Sequence, residues 1–197
     1  MEKQIIEKNI EFLQRHGVTM ETESDKSIYR YGLQILYAYI VNISVIFAVS
    51  ALCGRLYESA IMVFLFAVFQ VFGGGYHAET KLKCSSLMAA GYIAGNIVIS
   101  VISGHEIFMA VSAVVLCAGV FAAGPVTNIR HPVSRATYRR SKIISRVALC
   151  ASVVAVMAAL SLGKNVEAAA VVSTLYLYAV SLSAAKIKER KHRAAEK

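Results

Sequence analysis

Six long apolar segments constrain the fold of this 197-residue chain more than any other feature. Hydrophobic residues make up 57% of the sequence and fall in blocks, unlike the pattern of a soluble domain. A helix needs about 20 apolar residues to cross roughly 30 Å of hydrocarbon, and most of the segments approach that length. We therefore predict an all-α, polytopic membrane protein with about six transmembrane helices. The segments are residues 33–53, 59–72, 86–103, 107–124, 144–163 and 166–185.

The first 32 residues are polar and contain no apolar core of a signal peptide, so we expect no cleaved leader. Apolar residues recur there near helical spacing, with charged residues on the other side. This pattern predicts an amphipathic helix that ends at Gly17 and lies on the membrane surface or against the bundle. A free polar tail is the alternative. The apolar residues are Ile5, Ile6, Ile10, Phe12 and Leu13.

Basic residues indicate the orientation of the chain in the bilayer. Of the 21 Lys and Arg, only Arg55 and Lys164 fall in the regions that would lie outside. The positive-inside rule then places both termini in the cytoplasm, and the basic boundary residues suit anionic lipid better than nucleic acid. The other nineteen lie at Arg146 or in residues 1–32, 73–85, 125–143 and 186–197.

These boundaries divide the chain into a cytoplasmic amphipathic segment (1–32), a helical membrane domain (33–185) and a basic cytoplasmic tail (186–197). Segment 59–72 is short, so it must recruit Leu56 and Tyr57 or insert only part-way. A variant in which the second and third segments both dip in and return keeps the charges correct and stays open. In either arrangement residues 73–85 face the cytoplasm.

Residues 73–85 carry the candidate chemistry. His77 and Cys84 lie seven residues apart in a polar loop, and a thiol beside an imidazole is the minimal equipment of a thiol nucleophile. A straight helix would separate the two residues by about 10 Å, so the chain must bend, and Gly73–Gly75 supply a hinge. We expect the second helix to end at these glycines, His77 to sit on the turn, and Cys84 to open the third helix, whose dipole favours a thiolate. An inert buried cysteine and a solvated histidine are the plain alternative.

Other residues near this pair have two interpretations each. Glu79 either orients the imidazole or is a solvated loop charge. Gln70 either donates to an oxyanion or holds two helices together. Cys53, Cys117 and Cys150 fit a structural role, and neither a disulfide framework nor a metal site is indicated by their spacing.

The basic region 125–143 begins where Pro125 breaks the fourth apolar helix. Arg135 and Arg139 belong to a set of basic residues at about helical spacing. The set either anchors the chain on the cytoplasmic side or docks an acidic peptide or a carboxylate. Its other members are Arg140, Lys142 and Arg146.

Small and polar residues in the third segment predict helix packing. Gly91-x-x-x-Gly95 allows close approach of another helix, within the chain or in a homodimer. Asn96 is expected to hydrogen-bond across helices.

The block Gly74–Gly75–Tyr76–His77–Ala78, followed by Cys84, resembles the accessory gene regulator B (AgrB) family, and the six apolar segments, proline-bearing basic loop and basic tail extend the likeness over nearly the whole chain. The resemblance implies a bacterial membrane-embedded cysteine endopeptidase. It would cleave a small AgrD-like precursor peptide near its C-terminus, hold the peptide as a thioester, and promote closure of a thiolactone or lactone ring for quorum sensing. At the matching positions Cys84 is the nucleophile and His77 its base, and no cofactor is implied. The chain departs from many relatives in carrying Gln70 and Val71 where they have a basic residue.

Two rival functions remain at this level. A membrane scaffold or small transporter would need no chemistry, but the apolar segments hold almost no charges that could couple to ions or protons. Another thiol enzyme, such as an acyltransferase, would use the same pair on a different substrate.

Overall fold

The computed structural model describes residues 2–19, 22–76, 81–126 and 135–195. The secondary structure in these ranges is helical, with seven helices and no strand. Six of the helices are long and apolar enough to cross a membrane, which confirms the predicted all-α polytopic class. The helices are α1 (Glu2–Arg15), α2 (Glu23–Leu52), α3 (Leu56–Gly73), α4 (Lys81–Ile102), α5 (Glu106–Ala123), α6 (Arg135–Ser161) and α7 (Asn165–Ala195).

The chain divides into two compact units, residues 1–45 and 46–197, and α2 runs from the first into the second. In the first unit α1 is the predicted amphipathic helix. Its buried face is formed by Ile6 and Ile10, which pack with Leu13, Val18 and Leu33. The other two apolar residues of the pattern, Ile5 and Phe12, are exposed.

An ion pair joins α1 to α2 within the first unit. The Arg30 Nε donates to Glu7 Oε1 at 2.7 Å. This hydrogen bond holds the pKa of the Glu7 carboxyl below its ordinary value. Because the folded pKa is the lower one, the stabilisation is present at neutral pH and is lost as the pH falls through that pKa. Both side chains are exposed, so the pair stabilises the unit only weakly.

The second unit is built around α7, which packs against α3, α4, α5 and α6. Eight consecutive residues of α7, positions 168–175, are buried, so this part of the helix has neighbours on all sides. Small side chains such as Ala168, Ala169 and Ala170 permit that close packing. Tight turns of three residues, 53–55, 103–105 and 162–164, join α2 to α3, α4 to α5 and α6 to α7.

Several helices extend beyond their apolar segments. The second segment recruits Leu56 and Tyr57, and the 18 residues of α3 span about 27 Å. Helix α4 starts at Lys81, and α6 starts at Arg135, so the last nine residues of the predicted basic loop are helical. Helix α7 continues through the predicted tail to Ala195. Lys, Arg and Ala are good helix formers, and they carry the helices past the apolar boundary.

Helix α4 approaches its neighbours closely at Gly95. A Cβ atom there would overlap the Met62 side chain and would crowd Leu177 and Ser173. The predicted close approach is therefore confirmed, and this face is covered by helices of the same chain. The prediction that the Asn96 side chain hydrogen-bonds across helices is wrong. Its Nδ2 donates instead to the Tyr92 carbonyl, which lies one turn earlier in the same helix and within reach of the short side chain.

Candidate active site

Helix α3 ends as predicted at the glycines, pressed against two other helices. Its last residue, Gly73, leaves no room for a side chain, because a Cβ atom would overlap the hydroxyl of Tyr178 and crowd Ser145. The Tyr178 hydroxyl and Ser145 Oγ both lie against Gly73, and the Tyr178 ring stacks on Phe69 with the centroids 4.8 Å apart. These contacts place the end of α3 against the middle of α6 and of α7, beside Gly73.

The chain leaving α3 runs against the chain leaving α5. Gly74 has a φ of +72°, a conformation that favours glycine, and the N–H of Val126 donates to the Gly73 carbonyl at 3.0 Å. A Cβ atom on Gly74 would also overlap the Val126 carbonyl. Gly124 ends α5 with nearly the same backbone angles as Gly74, so the two helices terminate in the same way.

Both polar backbone groups of Tyr76 are hydrogen-bonded to side chains. Its N–H donates to Ser181 Oγ at 3.1 Å, and its carbonyl accepts from Gln70 Nε2 at 3.4 Å. The Tyr76 ring has the Lys188 ammonium 5.4 Å from its centroid. Helices α3 and α7 thus hold the chain one residue before His77.

Gln70 contacts the segment that follows its own helix, and its role as a donor to an oxyanion stays a prediction. Its amide donates to the Tyr76 carbonyl, so it holds the connecting segment of its own helix rather than a second helix. Its Oε1 atom is buried and accepts no hydrogen bond from the part of the chain that the structure describes. A buried acceptor without a donor is costly, and it leaves a polar group open beside Gly75.

Cys84 lies in the first turn of α4, so the prediction that it opens this helix is confirmed. Its side chain is half-buried. Only seven residues, 74–80, separate α3 from α4. His77 and Glu79 lie outside the described residues, and their roles stay predictions.

The remaining candidate residues are two arginines of α6 and three further cysteines. Arg135 and Arg139 are exposed one turn apart on α6, and within the described ranges neither hydrogen-bonds with Gln70 or Tyr76. Cys53, Cys117 and Cys150 form no disulfide with one another or with Cys84.

The contribution of α7 was not predicted from the sequence. Tyr178, Ser181 and Lys188 share one face of this helix, since they follow one another at spacings of three and seven residues. Tyr178 and Ser181 lie in the apolar part of α7 and Lys188 in its basic part, and their common face was the available signal. On the same helix Lys186 donates to the Ala123 carbonyl and so satisfies the end of α5.

The fold and the site together define a polytopic helical membrane protein with a thiol at the start of one helix and a tightly held glycine-rich segment at the end of the preceding one. The family model for accessory gene regulator B, AgrB, matches residues 6–185, and the chain belongs to this family. No curated protein and no solved structure gives a significant match. Membership implies a role in processing autoinducing peptides for quorum sensing, and it associates the chain with peptidase activity in the maturation of those peptides.

Proposed function

We propose that this protein is a membrane cysteine endopeptidase that cleaves a small AgrD-like precursor near its C-terminus. The observation that carries the proposal is the position of Cys84, half-buried in the first turn of α4 and only seven residues beyond the end of α3. The short connection limits how far His77 can lie from that thiol. The helix dipole at this end of α4 favours the thiolate that the reaction requires.

The chemistry follows from a thiol and an imidazole. His77 accepts the proton of the Cys84 thiol, and Sγ attacks the carbonyl carbon of the scissile peptide bond. The C–N bond breaks, the imidazolium returns the proton to the leaving amine, and the N-terminal part of the precursor remains as a thioester on Cys84. An internal thiol or hydroxyl of the precursor then gives its proton to His77 and attacks the thioester carbonyl. The ring closes as the C–S bond to Cys84 breaks, and the imidazolium returns the proton to the Cys84 thiolate.

The surrounding residues have supporting roles in this proposal. Gly74 and Gly75 let the chain pass closely between Val126, Gln70 and Ser181. Glu79 orients the imidazole. The exposed Arg135 and Arg139 attract acidic residues of the precursor.

The proposed setting is the plasma membrane of a bacterium, with both termini and residues 73–85 on the cytoplasmic side. The proposal keeps the domain organisation predicted from the sequence, with segment 1–32, membrane domain 33–185 and tail 186–197. An amphipathic precursor would concentrate at the cytoplasmic surface beside Cys84.

The test is cleavage of the precursor in proteoliposomes by the wild type and by Cys84→Ala, Cys84→Ser and His77→Ala. A variant with Cys53, Cys117 and Cys150 all changed to Ala is the control. We expect the three site variants to lose cleavage at normal protein levels while the control retains it. Undiminished cleavage by Cys84→Ala would overturn the proposal and favour a scaffold or transporter that works with a separate protease.

A further inference from the structure

We propose that Ser181 is a positioning residue for His77 and acts through the backbone of Tyr76; this inference rests on the proposed function. Ser181 belongs to α7 and is separated from Tyr76 by 105 positions in the chain. Nothing in the sequence pattern links the two residues. Only the packing of α7 against α3 brings the Ser181 hydroxyl close to the C-terminal end of α3.

The backbone of Tyr76 is held by hydrogen bonds at its N–H and at its carbonyl. The carbonyl of Tyr76 and the nitrogen of His77 belong to one planar peptide unit. Ser181 Oγ holds the N–H of Tyr76 at 3.1 Å, and Gln70 Nε2 holds its carbonyl at 3.4 Å. The Ser181 bond fixes the peptide unit of Gly75 and Tyr76, and the Gln70 bond fixes the unit of Tyr76 and His77. Two hydrogen bonds from different helices therefore limit rotation on both sides of the Tyr76 Cα, from which the chain continues to His77.

The side chains of Gln70 and Ser181 both lie close to the backbone of Gly75. A Cβ atom there would overlap Gln70 Oε1 and would lie 2.8 Å from Ser181 Oγ. Gly75 does not have a positive φ. Glycine is therefore required there by the close approach of these two side chains and not by the backbone conformation. Gln70 and Ser181 thus close on the backbone from two sides.

The Ser181 hydrogen bond joins two residues that are far apart in the chain. Several helical hydroxyls in this unit, such as Ser152, Thr174 and Ser183, donate to a carbonyl one turn earlier in their own helix, whereas Ser173 donates to the Gly95 carbonyl of α4. Ser181 instead accepts a hydrogen bond from a residue outside its helix. This contact is therefore a tertiary one.

Ser181 lies on a well-packed part of α7. One turn earlier on α7, Tyr178 is buried, stacks on Phe69 and places its hydroxyl against Gly73. The neighbouring Leu182 is buried as well. A group on a well-packed helix can hold a catalytic segment more accurately than a group on a loop.

The experiment compares Ser181→Thr, which keeps the hydroxyl, with Ser181→Val, which has nearly the same shape as the threonine variant without the hydroxyl. Ser183→Ala, on the exposed side of the same helix, is the matched control. All are made in the background that lacks Cys53, Cys117 and Cys150. Two quantities are measured: kcat and KM for precursor cleavage, and the pH midpoint for alkylation of Cys84 by iodoacetamide.

We expect Ser181→Val to lower kcat roughly three- to tenfold, the size expected for one lost hydrogen bond, with KM within about twofold of wild type. The pH midpoint of Cys84 alkylation should move as well, because a displaced imidazole no longer assists the thiol. Ser181→Thr and the control should resemble the wild type in both measurements.

Equal behaviour of Ser181→Val and Ser181→Thr would overturn the inference, because the two variants differ only in the hydroxyl. The inference also fails if Ser181→Val lowers protein yield but leaves kcat and the alkylation midpoint unchanged. Cleavage that needs Cys84 but is indifferent to the Ser181 hydroxyl would refute this inference alone. Cleavage by Cys84→Ala would refute the proposed function itself.

Discussion

At the scale of single residues, glycine meets two separate requirements where the helices end: a positive φ and close packing against another part of the chain. Gly74 and Gly124 share a positive φ, which an L-amino acid with a side chain adopts only at a cost. Gly74 additionally lies against the Val126 carbonyl, whereas no described residue lies within 4 Å of the position that a Cβ atom would occupy on Gly124. The two positions therefore separate backbone strain from close packing.

We predict that Gly74→Ala destabilises the protein more than Gly124→Ala does. Each variant bears the backbone cost of about 1–2 kcal/mol. Gly74→Ala adds an overlap with Val126 that costs on the order of 1–3 kcal/mol to relieve. Thermal denaturation in detergent, followed by the loss of the monodisperse peak in size-exclusion chromatography, measures the difference. Equal midpoints for the two variants would show that the approach to Val126 carries no cost.

At the scale of the element, α7 supports the rest of the second unit. Its buried stretch, residues 168–175, meets neighbours on all sides, and its continuation carries Tyr178 and Ser181 to the candidate site. Lipid tails are as apolar as leucine, so helices in a membrane associate through close packing rather than through the hydrophobic effect. The small residues of α7 are therefore more important to its position than its hydropathy.

We predict that Ala170→Leu, at a fully buried position of α7, destabilises the protein by about 1–3 kcal/mol through overpacking. Val180→Leu, on the exposed side of the same helix, should change the stability by less than about 0.5 kcal/mol. The same thermal assay compares them. A larger shift for Val180→Leu than for Ala170→Leu would contradict the central position of α7.

At the scale of the whole molecule, the distribution of basic residues and the three short turns determine how the chain is expected to thread the bilayer. Arg55 and Lys164 lie in two of these turns, and the other nineteen Lys and Arg lie on the opposite side of the proposed topology. Such an asymmetry retains the basic side in the cytoplasm. The candidate site is then on the side where a newly made precursor would meet it.

We predict that Lys164→Cys, in a chain without its four native cysteines, reacts with a membrane-impermeant maleimide added to intact cells. Arg140→Cys in the same background should react only after the membrane is permeabilised, because α6 begins on the cytoplasmic side. Both positions are exposed, so a difference between them reports sidedness rather than burial. Labelling of Arg140→Cys in intact cells would reverse the proposed orientation.

The sequence by itself determined the helical membrane class, the number of long helices, the end of α3 at its glycines and the position of Cys84 at the start of α4. These features depend on local properties: the length of an apolar run and the backbone freedom of glycine. The role of His77 stays a prediction of the sequence, because this residue lies outside the described ranges.

Only the tertiary structure decided that α7 is the central helix, that Gln70 turns to the Tyr76 carbonyl, and that Ser181 holds the other side of that residue. The physical reason is that an apolar helix facing lipid and one facing other helices have similar compositions. The contacts that distinguish them join residues far apart in the chain, as Tyr76 and Ser181 are. The site therefore depends on a helix whose sequence indicates a membrane span but not what it touches.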